Sequence, residues 1–177
     1  MLIDLCNLTR QNSLTKNDLL KALQNLSKKI ELKDIVKCSL YIHKDAECIH
    51  TGYRNEFIKT ETEFIIRIRE VKDDQPKYKG HVDLAELKFA VELLLEQEKT
   101  AQEMEDYEPA LVRIYSIISL YTTFIKEEPI HKVGTPFPGG FMVKKEADRY
   151  TCPVKDNNQD NPLALCPFCI AEQDEEV

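Results

Sequence analysis

The sequence predicts a mainly α protein: an irregular bundle of four to six helices over residues 1–127, then a loop-rich C-terminal cap over 128–177 holding a small β-hairpin and a cysteine-rich knuckle. Three observations predict this. Apolar residues recur at steps of three and four in four separate segments before residue 127, which places them on single helical faces. Composition changes sharply at Pro129, after which Pro136, Pro138, Gly134, Gly139 and Gly140 follow within a dozen residues. Finally, Cys152, Cys166 and Cys169 fall in a segment with few apolar residues of its own.

The first helix signal opens at Thr15, with Asp18 at capping-box spacing, and Leu19, Leu23, Leu26 and Ile30 form one face. A short helix is predicted over about 32–45 with Ile35, Val36 and Leu40 inward, and a single helix over about 53–72 with Tyr53, Phe57, Phe64 and Ile68 on one side. Asp73, Asp74, Gln75 and Pro76 end it. Asp83 and Glu86 have capping spacing and begin a helix carrying Leu84, Leu87, Val91, Leu94 and Leu95. Pro109 suits the first turn of the next helix, which carries Leu111, Ile114, Tyr115, Ile118, Tyr121 and Ile125 on one face and Ile117, Leu120 and Phe124 on another. A helix apolar on two faces is expected at the centre of its domain. In the cap, Phe141–Lys144 and Arg149–Cys152 are expected to pair across Glu146–Asp148, with Phe141 and Tyr150 packing against the bundle. Lys155–Asn161 reads as a polar loop, and Asn161-Pro162 suits a helix start leading to Cys166-Pro167-Phe168-Cys169.

Charge narrows the function classes. The 177 residues carry a net charge of −7, with 19 basic against 22 acidic residues before Glu128 and 5 against 9 from it onward. Neither part has the basic surface of a nucleic-acid reader, so nucleic acid is not the expected partner; a protein is the candidate, with no sequence feature that names it. No run of 18 apolar residues provides a membrane span. The opening Met1-Leu2-Ile3-Asp4-Leu5-Cys6 has neither a basic n-region nor a long apolar stretch, so the expected setting is the cytoplasm. Clustered cysteines in a reducing compartment more often hold metal or do redox chemistry than form disulfides.

The Cys166-x-x-Cys169 spacing lets two thiolates reach one ion, and Cys152 is a third local sulfur. Proline follows both Cys152 and Cys166, shaping a turn at each. A closed tetrahedral site needs four ligands, and His131, at the entrance of the same segment, is the candidate fourth. The expected site is therefore Cys₃His: His131, Cys152, Cys166 and Cys169, with zinc as the expected ion. An iron–sulfur cluster, completed by Cys38, Cys48 or His131, is the alternative. With Cys166 at the start of a turn, its thiol is expected to be acidified.

Other candidates carry less. Cys6, Cys38 and Cys48 read as small hydrophobes in or near helices, and His43 and His50, which flank Cys48, are the candidates for a second ligand group. His81 and Asp83 read as capping and solvated residues. Glu92 and Glu96 share a helix face without the Glu-x-x-His signature of a di-iron bundle. No phosphate-cradling glycine loop is present, because the run from Gly134 to Gly140 is interrupted by two prolines and opens no helix.

Two resemblances follow. Cys166-Pro167-Phe168-Cys169 resembles the active-site motif of glutaredoxins, but no βαβ unit follows it here. Over roughly the last 45 residues, the stretches Pro129–Phe141, Tyr150–Asp156 and Asn161–Cys169 look like the signature of uncharacterised protein family 0305, a domain of unknown function found chiefly in methanogenic archaea. That resemblance implies an archaeal cytoplasmic protein and no particular catalytic residue; His131, Cys152, Cys166 and Cys169 all have counterparts in the signature. The expected role is a zinc module of structural or interaction type, with an iron–sulfur or dithiol redox protein as the rival.

Overall fold

The structure, a computed structural model, describes residues 3–106, 108–158 and 160–176. Met1 and Leu2 of the opening segment, and Gln159 of the polar loop, lie outside them. Seven α-helices occur among the described residues: α1 (Ile3–Cys6), α2 (Lys16–Ser27), α3 (Leu32–Asp45), α4 (Thr51–Ile66), α5 (Ile68–Asp73), α6 (Leu84–Gln102) and α7 (Pro109–Tyr121). Five of these have 12 residues or more. None is long and apolar enough to cross a membrane.

The caps explain where the helices begin. The Thr15 side-chain oxygen accepts the Asp18 N–H at 3.1 Å, and Asp83 accepts from Ala85 and Glu86 at 2.9 and 3.1 Å. His50, one of the two histidines beside Cys48, caps α4 through its Nδ1, which accepts the Gly52 N–H at 3.2 Å. Pro109 stands in the first turn of α7, where its missing N–H costs nothing. Helix α7 is the axis of the bundle: it packs on α2, α3, α4, α5 and α6 and buries Ile114, Ile117, Ile118, Leu120 and Tyr121. It continues as a π-turn over Thr122–Lys126, which ends at Glu127 in the left-handed region (φ 53°).

Two helix readings are corrected. The segment read as one helix over 53–72 is divided at Arg67, whose N–H bonds Phe64 one residue short of the α pattern, at 3.0 Å. The Arg67 side chain is buried, and its guanidinium donates to the Ile130 carbonyl at 2.9 Å. In α3 the inward face is Cys38 and Ile42, with Ile35 partly buried. Val36 and Leu40 were expected inside but are 51% and 66% exposed. The apolar pattern of α3 is too broad for one contact face, and α7 meets only part of it. Asp74, read only as a helix breaker, also works as an acceptor: Tyr78 and Tyr121 donate to it at 2.5 and 2.6 Å. Burial opposes its ionisation, yet those two hydroxyls hold its carboxyl below the ordinary range.

The cap contains a three-stranded sheet in the order β1 (Lys144–Glu146), β2 (Arg149–Cys152), β3 (Glu172–Gln173). The hairpin is present but begins later than expected: Lys144 pairs Thr151 and Glu146 pairs Arg149, with Ala147 at φ 52° in the turn. Phe141 and Met142 fold back on Pro136 and Phe137 instead, because Gly139 and Gly140 at φ 88° and 84° reverse the chain there. Phe141 is consequently 41% exposed and does not pack on the bundle. Tyr150 packs within the cap, on the small cluster of Val143, Cys152 and Ala171, beneath the Lys145 ammonium. The aromatic that enters the main core is Phe168, 5% exposed. Strand β3 runs parallel to β2, pairing Cys152 with Gln173, a contact that local pattern could not reveal.

Candidate metal centre at the cap–bundle junction

His131, Cys152, Cys166 and Cys169 line one cavity of about 170 Å³, together with Phe64, Tyr115 and Lys155. Three separate segments converge there, and each is fastened by identifiable bonds. Cys152 ends β2, where its carbonyl accepts the Asp174 N–H at 3.0 Å. Cys166 and Cys169 are joined by a single 3₁₀ turn, with the Cys169 N–H donating to the Cys166 carbonyl at 3.1 Å. The helix expected from Asn161 is only a turn: the Asn161 side chain accepts the Leu163 N–H at 3.0 Å. Gln97 of α6 holds this stretch to the bundle by donating to the Ala164 carbonyl at 2.7 Å.

The His131 segment is held on both sides. Ile130 receives Arg67 on its carbonyl and donates its N–H to the Cys169 sulfur at 3.4 Å. Lys132 reaches Glu70 at 2.8 Å. The His131 ring stands between Phe137, edge-on at 5.5 Å, and Phe64 at 6.2 Å. Burial first, and then the Arg67 charge, push its pKa down to about 4. The imidazole is therefore neutral at neutral pH, the form that carries a lone pair for a metal. Neither ring nitrogen makes a hydrogen bond among the described residues.

All six cysteines are free thiols. The Cys166 thiol is pushed up to about 11, by burial first and then by the proximity of Cys152 and Cys169. This reverses the expectation of an acidified thiol: the turn is too short, and too buried, for its N-terminal dipole to win. Burial likewise raises Cys152, while the backbone N–H groups of Val154 and Lys155 and the Lys155 charge pull the other way. Lys155 is the residue that sequence reasoning missed. Read as part of a polar loop, it instead turns inward and donates to the carbonyls of Cys169, at 2.9 Å, and Ala171. Its place three residues after Cys152 was the available signal.

Among the described residues, no three His, Cys, Asp or Glu side chains have their donor atoms gathered as a metal-holding group. Cys38 lies in the main core with its thiol pushed up to about 12 by burial, and Cys48 is exposed; neither reaches the cavity. Glu92 is solvated, facing Lys88 at 3.9 Å.

The model of a family described as "Uncharacterized protein conserved in archaea (DUF2115)" matches residues 15–174. A UPF0305 protein of Methanothermobacter thermautotrophicus is 39% identical over 165 residues, covering 93% of this chain and 99% of that protein. A second from the same organism is 30% identical, covering 88% of this chain and 94% of its own length. One from Methanocaldococcus jannaschii is 27% identical, covering 89% and 93%. No solved structure matches. The family match spans both the bundle and the cysteine-bearing cap, and it is joined by a relative aligned over nearly its whole length, so the chain belongs to this archaeal family, DUF2115 or UPF0305.

Proposed function

We propose that the cap is a metal-binding module in which Cys152, Cys166, Cys169 and His131 take one zinc ion, in a structural or interaction role within a reducing cytoplasm. The observation that carries this reading is the convergence of all four residues on one cavity from three separate segments. Two further features support it. Backbone N–H groups face the sulfurs of Cys152 and Cys169, the kind of donor that stabilises a ligating thiolate. The cap's own cluster of Val143, Cys152 and Ala171 is also small, so a crosslink would supply order that its packing does not. Zinc binding would require three thiols to lose protons and the four side chains to close onto the ion.

The dithiol alternative rests on the Cys166–Cys169 turn. A reactive cysteine needs a depressed pKa, whereas burial raises Cys166, so the turn offers no acidified thiol for dithiol chemistry. Cobalt substitution tests the proposal. Three thiolates and an imidazole around Co²⁺ give intense visible bands of a tetrahedral site, which should vanish in Cys166→Ser. A brown, anaerobically purified protein absorbing near ~400 nm would instead favour an iron–sulfur cluster. Absence of any Co²⁺ band from colourless protein stripped of its own metal would remove the zinc reading.

A further inference from the structure

A second cavity, of about 330 Å³, lies on the other side of the cap segment 161–165. Four helices and the cap enclose it: Tyr41 and Asp45 from α3, Phe57 and Glu61 from α4, Gln97 from α6, Tyr115 and Ser116 from α7, and Asn161 and Leu163 from the cap. It shares Tyr115, Asn161, Leu163 and Leu165 with the cysteine cavity, but no cysteine or histidine lines it. Its volume is at the lower end of the range for small-ligand sites, about 300–1,000 Å³.

The composition of its wall is lopsided. Two carboxyl groups, Asp45 and Glu61, and three aromatic rings, Tyr41, Phe57 and Tyr115, face a space that no lysine, arginine or histidine lines. Glu61 is half-buried and has only the Tyr115 hydroxyl as a hydrogen-bond donor among the described residues. Nearby Lys44 is engaged by Asp106 at 2.6 Å. A carboxylate withdrawn from water without a cation is costly, and a cation brought by a ligand removes that cost. Only two carboxyl groups line the cavity, and among the described residues no three His, Cys, Asp or Glu side chains gather as a metal-holding group, so a divalent metal has no built set of ligands here. An organic cation fits both halves of the wall, with its charge on the carboxylate and its alkyl part among the rings.

We propose that this cavity binds a small protonated aliphatic amine, with Glu61 as the charge partner and the rings of Tyr41, Phe57 and Tyr115 as the apolar wall. The pKa of Glu61 accords with this: burial, and then Asp45, push it up to about 7. That is the mark of a carboxylate lacking a cation. The site is independent of the metal reading, since none of the four proposed metal ligands lines it.

The test is calorimetric titration of n-butylammonium chloride into the full chain at pH 8, where Glu61 is ionised, with 1-butanol as the neutral isostere. The expected dissociation constant for the amine is about 1 mM or tighter, within reach of five non-hydrogen atoms. The alcohol should bind at least about tenfold more weakly, and Glu61→Gln should abolish the difference, since roughly a tenfold gain is what one half-buried charge contact supplies. Equal binding of amine and alcohol would overturn the proposal, leaving a merely apolar cavity. So would amine binding unaltered in Glu61→Gln, or no saturable binding by the native chain. The comparison of amine with alcohol needs no variant, so it stands even if Glu61→Gln fails to fold.

Discussion

Glu61 and His131 are displaced from their ordinary ionisation in opposite senses, and each leaves a different imprint on stability. Glu61 rises from 4.5 to about 7, so between those values the folded chain holds a proton that the unfolded chain has released. Its contribution is full below pH 4.5 and lost as pH climbs through 7. His131 falls from 6.5 to about 4; its contribution is full above pH 6.5 and lost as pH drops toward 4. Comparing Glu61→Gln with the native chain isolates the first group. The variant's advantage in urea unfolding should be near zero at pH 4.5 and reach about 2 kcal/mol at pH 8, allowing for solvent screening of a half-buried group. A difference independent of pH would show that Glu61 is not strained by its surroundings. Lys155 makes a second prediction at this scale. Three thiolates and a neutral imidazole on Zn²⁺ leave one net negative charge, and the Lys155 ammonium lines the same cavity. Lys155→Gln should weaken zinc about tenfold in competition with a chromophoric chelator, the low end for an outer-shell partner. Unchanged affinity would mean that Lys155 only ties carbonyls together.

At the scale of elements, the helices were legible because their signals are local. Thr15, Asp83 and Pro109 start their helices where the sequence placed them, since a cap depends on residues two or three positions away. What failed depended on distant partners. Val36 and Leu40 are apolar at helical spacing yet exposed, because the phase of a helix is set by what it packs on. Arg67 divides α4 from α5 on account of a carbonyl 63 residues away. The Cys166–Phe168 turn illustrates both cases: CxxC announced a turn, but nothing in it announced that Phe168 would enter the main core. That residue gives the prediction for this scale. Phe168→Ala should cost about 3–5 kcal/mol in unfolding free energy. It should also raise amide exchange across residues 163–174 before it affects α2 or α7. Uniform loss of protection through the whole chain would contradict a cap fastened chiefly by that side chain.

For the molecule as a whole, the arrangement is a helical bundle around α7 with a small sheet and the Cys166–Phe168 turn in the cap, the turn packing on α6. The four candidate ligands were legible as residue types at telling spacings: the sequence alone singled out His131, Cys152, Cys166 and Cys169, and the fold places them around one cavity. Lys155 was signalled only by its place three residues after Cys152, and the Glu61 cavity was not legible, because it is assembled from elements far apart in the chain. The bond from the Ile130 N–H to the Cys169 sulfur shows how the His131 segment is joined to the CxxC turn 39 residues later. The central claim is that this junction holds a metal. The most direct measurement is the metal content of the full chain purified without added chelator, by mass spectrometry of the elements. The account predicts about one zinc per chain, lost in Cys152→Ser, Cys166→Ser and Cys169→Ser and reduced in His131→Ala. A folded native protein free of zinc and iron, which takes up neither when supplied, would contradict it.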